Sequence, residues 1–300
     1  MKFFFRCVLG LVFVITVYAD TLHLKKAIIY QPQAADFQKP HWEQKFSLLA
    51  ALGFDTVVLQ WTQYGSYRFW QEHPKWLESF LSLADRYGMH IVVGLYADKD
   101  YFKRVKDTKK LEYYLYLLAQ KNIETAKTLY PQLSQHKAFW GWYIYDELHE
   151  TLCLPPQNQR YLQTYLHNLD QSLGELSSQK RVFISAFFAG KDQEKFITSL
   201  RRVIPEKWTL LLQSGMGAGL TNLSLVQAYY RSFDKAYRRS WYPIVELFQI
   251  DKKHQIKADF NRYQQQKVLC TDRGYLLFSW RYLFTPQFLK QYQEEYLRIK

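Results

Sequence analysis

Cysteine is scarce in this chain, with three residues in 300, at positions 7, 153 and 270. That excludes a disulfide-built scaffold, so stability has to come from a hydrophobic core. Histidine says as little. Eight are present, but His90, His136 and His149 stand apart with no ligand spacing, and no metal site is expected. The 12 glycines form no phosphate loop, because Gly215-Met-Gly-Ala-Gly219 lacks the Lys-Ser/Thr that completes one. No cofactor is expected. Beyond the N-terminus no run stays apolar for the roughly 20 residues of a membrane-spanning helix, which argues against stable membrane insertion. Low-complexity linkers and repeats in sequence identity are absent too, leaving no reason to divide the chain.

The N-terminus has a different character. Lys2 and Arg6 precede an apolar run over 8–17, and Val17-Tyr-Ala19 supplies small residues for cleavage. These features predict a signal peptide over 1–19 and an exported, periplasmic or secreted, protein spanning 20–300. The formal charge is +13, but the basic residues come in pairs such as Lys109-Lys110, Arg201-Arg202 and Arg238-Arg239, never in a block. With export, that argues against nucleic acid and, more weakly, for an acidic polymer as partner. A lipid surface is a third, weaker reading of the same charge. A monomer is expected.

What the chain does have is apolar and aromatic mass: 48% hydrophobic residues, with 24 Tyr, 21 Phe and 9 Trp. Short β-prone runs fall at 27–31, 56–61, 90–96, 139–145, 182–187, 209–213, 244–248 and 275–280. Amphipathic, helix-length runs fall at 41–52, 75–87, 111–129, 157–173, 193–204, 223–240, 256–268 and 286–299. Gly53, Gly88 and Gly174 read as helix stops, as does Pro131. Eight alternating units predict an α/β fold, a single-domain (β/α)8 TIM barrel. Cys153 would then follow the fourth strand and Cys270 precede the eighth, at opposite ends of the barrel. A disulfide needs Cα atoms within roughly 7 Å, so the two should stay unbridged.

Barrel sites lie at the carboxyl ends of the strands. Two strands there end in acids: Phe139-Trp-Gly-Trp-Tyr-Ile-Tyr-Asp-Glu147 and Tyr242-Pro-Ile-Val-Glu-Leu-Phe248. A buried strand has no structural use for a lone carboxylate, whereas a glycosidase needs two. Glu147 and Glu246 are therefore the candidate catalytic pair. Alternation sets Glu147 with Tyr145 and Tyr143 on one face and Asp146 on the other, which suits Asp146 to a supporting or capping role. Gln31, Gln60, Trp61, Tyr96, Tyr145, Asp146, Gln213, Trp280 and Arg281 complete a polar and aromatic rim read as substrate-binding. Two of these keep alternatives: Trp280 is a sugar-stacking platform or core, and Arg281 binds substrate or pairs with Glu246.

These segments resemble a known family. Ile28-Ile-Tyr-Gln31, Leu52-Gly-Phe-Asp-Thr-Val-Val-Leu-Gln-Trp61, Ala84-Asp-Arg-Tyr-Gly-Met-His-Ile-Val-Val-Gly-Leu-Tyr96, the motif ending at Glu147 and Val245-Glu-Leu-Phe248 occur in order over nearly the whole exported region. Together they are similar to domain-of-unknown-function family 4434, exported barrels similar to glycoside hydrolases. The resemblance implies that Glu147 is the acid/base and Glu246 the nucleophile of a retaining hydrolase. It acts on a polysaccharide, a bacterial exopolysaccharide being one option. A catalytically inert glycan-binding barrel in polysaccharide export or assembly is the alternative. One departure stands out. The family's sixth strand carries an acid after its glutamine, where this chain has Gln213-Ser214.

Overall fold

The computed structural model describes residues 23–38, 41–188, 190, 192–270 and 273–299. The expected signal peptide and its cleavage site lie outside the described residues. Eight parallel strands close into a barrel: β1 (Lys26–Tyr30), β2 (Thr56–Leu59), β3 (His90–Gly94), β4 (Phe139–His149), β5 (Arg181–Phe187), β6 (Thr209–Gln213), β7 (Trp241–Glu246) and β8 (Tyr275–Phe278). Each pairs with the next in sequence, and β8 closes onto β1. Long helices alternate with them: α1 (Trp42–Ala51), α2 (Trp76–Arg86), α3 (Leu111–Leu133), α4 (Pro156–Ser177), α5 (Gln193–Val203), α6 (Leu223–Ala236), α7 (Phe260–Lys267) and α8 (Pro286–Ile299). The chain is a (β/α)8 TIM barrel.

Strand composition explains the two-sided burial. Thr56-Val-Val-Leu59 is buried at every position, because its alternate residues meet the barrel interior and the helical ring. Ala27, Ile29, Val58, Val92, Tyr143, Phe183, Leu211, Ile244 and Leu276 fill the interior. The other parity, including Ile28, Val57, Ile91, Trp142, Ile184, Leu212, Val245 and Leu277, packs outward under the helices. The helices supply matching stripes, as α2 does with Trp76, Leu77, Phe80, Leu81 and Ala84. Gly53 and Gly88 follow α1 and α2 with φ of +75° and +62°, a conformation that a Cβ disfavours.

β4 departs from regular pairing twice. Its register against β3 skips Trp140, with Ile91 opposite Phe139 and Val92 opposite Gly141. Against β5 it skips again, Ile144 lying opposite Ile184 but Leu148 opposite Ala186. The first bulge needs glycine: a Cβ on Gly141 would sit 2.3 Å from the Arg181 carbonyl oxygen. The consequence is a change of facing. Trp140 points inward, then Tyr143 and Tyr145, while Trp142 and Ile144 pack outward.

Several element boundaries differ from those expected. The 256–268 run does not form one helix. Ile256–Ala258 pairs antiparallel with Phe248–Ile250, and the helix starts only after Asp259, whose carboxylate caps it by accepting from the Arg262 N–H. Helix α3 runs through Pro131, because Leu129 and Leu133 continue its buried face. Helix α4 passes Gly174 to Ser177, where Trp142 Nε1 donates to the Ser177 hydroxyl at 2.9 Å. The third strand stops at Gly94, and Tyr96–Ala97 joins a rim sheet with Gln63–Tyr64 and Tyr67–Arg68. Cys153 and Cys270 are both buried and free, as expected.

Candidate active site

The first β4 bulge puts Glu147 on the inward parity of Tyr143 and Tyr145, and the second leaves Tyr145, Asp146 and Glu147 opposite Ser185 alone. Its carboxylate accepts a hydrogen bond from Gln213 Nε2 at the tip of β6. Tyr101 pins the backbone here, donating to the Glu147 carbonyl at 2.9 Å. Burial pushes the Glu147 carboxyl up to about 8, the negative charge of Glu246 adds to the rise, and the Gln213 amide opposes it. A carboxyl so placed keeps its proton at neutral pH and can give it away.

Glu246 ends β7 opposite Phe278 of β8, on the inward parity of Tyr242 and Ile244. Only 2% exposed, it is held at both oxygens: Oε1 accepts from the Gly215 N–H at 3.1 Å and Oε2 from the Gly217 N–H at 2.5 Å. Ser214 Oγ lies 3.4 Å from Oε2 and 3.0 Å from Gln266 Oε1. Gln266 in turn binds the Glu246 backbone at both its N–H and its carbonyl, at 3.1 and 2.9 Å. Burial raises the Glu246 carboxyl, and the two glycine N–H groups oppose that rise by favouring the anion. The departure at Ser214 becomes intelligible. An acid there would set a second carboxylate against Glu246, whereas serine offers a hydroxyl.

Of the expected substrate binders, several converge on the mouth. Trp61 donates to the Pro32 carbonyl at 3.2 Å and packs its ring 5.1 Å from Tyr64 and edge-on 5.5 Å from Tyr145. These three rings form one cluster, in which Tyr145 is the ring near Glu147. Gln60 follows the inward Val58 by two residues, and its buried Oε1 has no partner among the described residues. Gln31 stands half-buried past β1, accepting from Ser279 Oγ at 3.5 Å. Gln213 is the Glu147 partner already described.

Others lie elsewhere. Asp146 is sealed between β4, α3 and α4, 1% exposed, accepting from the Tyr165 hydroxyl and, at 3.3 Å, from Asn122 Nδ2. Burial lifts its carboxyl to about 7. It fastens helices to the strand and does not face the mouth. Trp280 opens a short helix (Trp280–Leu283) and turns outward, 5.0 Å from Tyr30 and 5.1 Å from Phe284, so it is core. Tyr96 faces a groove outside the mouth, with the Lys121 ammonium 4.7 Å from its ring. Arg281 lines a separate groove of about 850 Å³ with Tyr282 and Gln249. Its terminal nitrogens donate to the Gln33 amide oxygen at 2.7 and 3.0 Å once that amide is oriented by its bonds. Arg262, not Arg281, is the arginine whose charge acts on Glu246.

Two parts of the site escaped the sequence reading. Phe278, not Trp280, is the β8 ring on the inward face, 5.9 Å from Phe248. Counting by twos from the inward Leu276 would have found it. The Ser214–Gly217 turn is no phosphate loop, yet the N–H groups of Gly215 and Gly217, on either side of Met216, converge on one anion. That anion is the protein's own Glu246.

Among the described residues no His/Cys/Asp/Glu group could hold a metal ion, and no helix is long and apolar enough to cross a membrane. Comparisons with known proteins agree with the architecture. A protein from Bacteroides thetaiotaomicron VPI-5482 assigned as an α-L-fucosidase superposes with a TM-score of 0.68 at 17% identity, covering 98% of this chain and 100% of that one. An exo-β-1,4-mannosidase from Opitutaceae bacterium strain TAV5 gives 0.57 at 14% identity, covering 91% and 55%. At such identities the likeness establishes the fold alone, a (β/α)8 barrel. Uncharacterized protein YbcH of Escherichia coli (strain K12) is 34% identical over 170 residues, covering 55% of this chain and spanning only 56% of that protein's length. The domain of unknown function DUF4434 matches residues 26–280, and the chain belongs to that family.

Proposed function

We propose that the protein is an exported glycoside hydrolase acting on a polysaccharide with retention at the anomeric carbon. The observation that carries this reading is the pair at the mouth: Glu147, proton-bearing up to about pH 8, beside Glu246, whose carboxyl burial raises and two N–H donors pull back toward the anion. Glu246 attacks the anomeric carbon while the bond to the leaving oxygen breaks, and Glu147 gives that oxygen its proton. Glu147 then takes a proton from water, whose oxygen displaces Glu246 and frees the sugar. Trp61, Tyr64 and Tyr145 offer faces for the sugar rings, and Gln60 and Gln31 offer amides for its hydroxyls.

Purified protein assayed against a panel of bacterial and plant polysaccharides should release reducing ends with one glycan class. Glu147→Gln should cut turnover by about 10²–10⁴-fold with glycan binding kept. Undiminished turnover in that variant would refute the assignment. One observation favours a second reading, a glycan-binding barrel without turnover: both Glu246 oxygens are occupied and the side chain is 2% exposed. Tight binding with no reducing ends from any polymer would select it.

A further inference from the structure

We infer that the groove between the 63–68 rim hairpin, the chain after Tyr96 and helix α3 is a binding site for a carboxylated sugar residue, a uronate. The cavity measures about 490 Å³, within the roughly 300–1,000 Å³ range of small-ligand sites. Its buried lining is polar: Gln63, Tyr96 and Asp98 are 9%, 4% and 4% exposed. Asp98 is already satisfied. It accepts from the Tyr114 hydroxyl at 2.9 Å and the Asp100 N–H at 3.0 Å, and it pairs with Arg104 at 3.3 Å. Three further cations line the groove, Arg68, Lys99 and Lys121, against one further acid, Glu124. Arg68 and Lys99 form no ion pair with any described acid, and Lys121 is spent on the Tyr96 ring and hydroxyl. A planar guanidinium and a free ammonium above a tyrosine-lined floor suit a carboxylate carried on a ring.

The groove's position fits a polymer. Strand alternation turns Gln63 into the groove and Tyr64 onto Trp61 in the mouth, so the two sites lie back to back across one strand. Gly65 and Ser66 at the hairpin tip line the groove. The net positive charge, +13 less the two of Lys2 and Arg6 in the expected signal peptide, would draw the same kind of polymer from solution.

This inference rests on the glycan reading of the mouth for the polymer, but not for the groove's own ligand, so the two are separable. Glucuronate, glucose and inorganic phosphate, titrated into the purified protein by calorimetry, are the probes. Glucuronate should bind the wild type and Glu147→Gln alike. It should weaken by about tenfold or more in Arg68→Gln/Lys99→Gln, and again between low and moderate salt. Glucose should not compete. Phosphate binding as well as glucuronate would reduce the groove to an unspecific anion site and overturn the inference, as would a double variant with unchanged affinity and unchanged Tm. Uronate binding without hydrolysis of any polymer would keep the groove and sink the hydrolase.

Discussion

Glu147 and Glu246 are the same side chain at equivalent strand ends, yet they are held in opposite ways. Glu147 has one amide donor; Glu246 has two backbone N–H groups aimed at separate oxygens. The difference makes them respond oppositely to an isosteric change. Between the unfolded value of 4.5 and the folded value of about 8, folded Glu147 retains a proton that the unfolded chain has lost. Stability therefore falls as pH rises through that window and levels off above it. Glu147→Gln removes the penalty, so its Tm advantage over wild type should grow from pH 5 to pH 8. The corresponding gain in stability should reach about 2 kcal/mol, allowing for partial solvation. Glu246→Gln should instead melt below wild type throughout that range, although burial raises its carboxyl in the same direction. However the amide is turned, its NH2 meets one glycine N–H, donor against donor, at a cost of about 1–3 kcal/mol. Thermal melts of both variants across that pH range would show two opposite signs. A Glu246→Gln melting above wild type would mean that burial, not the N–H clamp, governs that residue. At this scale the acids were legible in the sequence because carboxylates in apolar strands are conspicuous. The facing of Trp280 and Phe278 was not, since a strand read two residues too long shifts its apparent tip, and neither ring type distinguishes core from mouth.

The elements that place these residues depend on irregularity. Were β4 regular, the inward parity that Trp140 begins would continue through Trp142 and Ile144, and Asp146 would point into the mouth in place of Glu147. The skipped residue beside Gly141 reverses this. Gly141→Ala pushes a Cβ to 2.3 Å from the Arg181 carbonyl, a backbone atom that cannot swing aside. The variant should lose about 1–3 kcal/mol of stability, read as a lowered Tm, and its turnover should fall as Glu147 is re-aimed. Unchanged melting and turnover would show that the bulge carries no such role. The sequence disclosed a strand here through its Trp, Tyr and Ile content, but a bulge has no compositional mark beyond one glycine. Elsewhere tertiary contacts overrode local punctuation. Pro131 and Gly174 read as stops, yet α3 and α4 continue because Leu133 and Ser177 still have buried partners. The 256–268 run has the length and amphipathic look of one helix, but Ile256–Ala258 finds an edge partner in Phe248–Ile250 before Asp259 can cap a helix.

For the whole molecule the decisive property is closure. Eight β-prone runs with glycine-capped helices between them announce a barrel, since that count fits a ring better than an open sheet. Closure has a measurable consequence through the two thiols. Cys153 sits in the short helix after β4 and Cys270 just before β8, nearly half the barrel apart, and both are buried. Burial pushes the Cys270 thiol up to about 12 and that of Cys153 higher still, so neither supplies thiolate in the folded state. A barrel joined at β8–β1 has no free edge from which to fray, and the interior and outer cores run continuously around it. Both thiols should therefore resist a disulfide reagent in native protein. They should then become reactive together, in one transition coincident with the loss of tryptophan fluorescence on denaturant titration. Reaction of Cys270 well below that midpoint, with Cys153 still protected, would show that the β8–β1 seam opens as a separate unit. The ring would then open into a single sheet, with Glu147 on β4 and Glu246 on β7 still joined through β5 and β6.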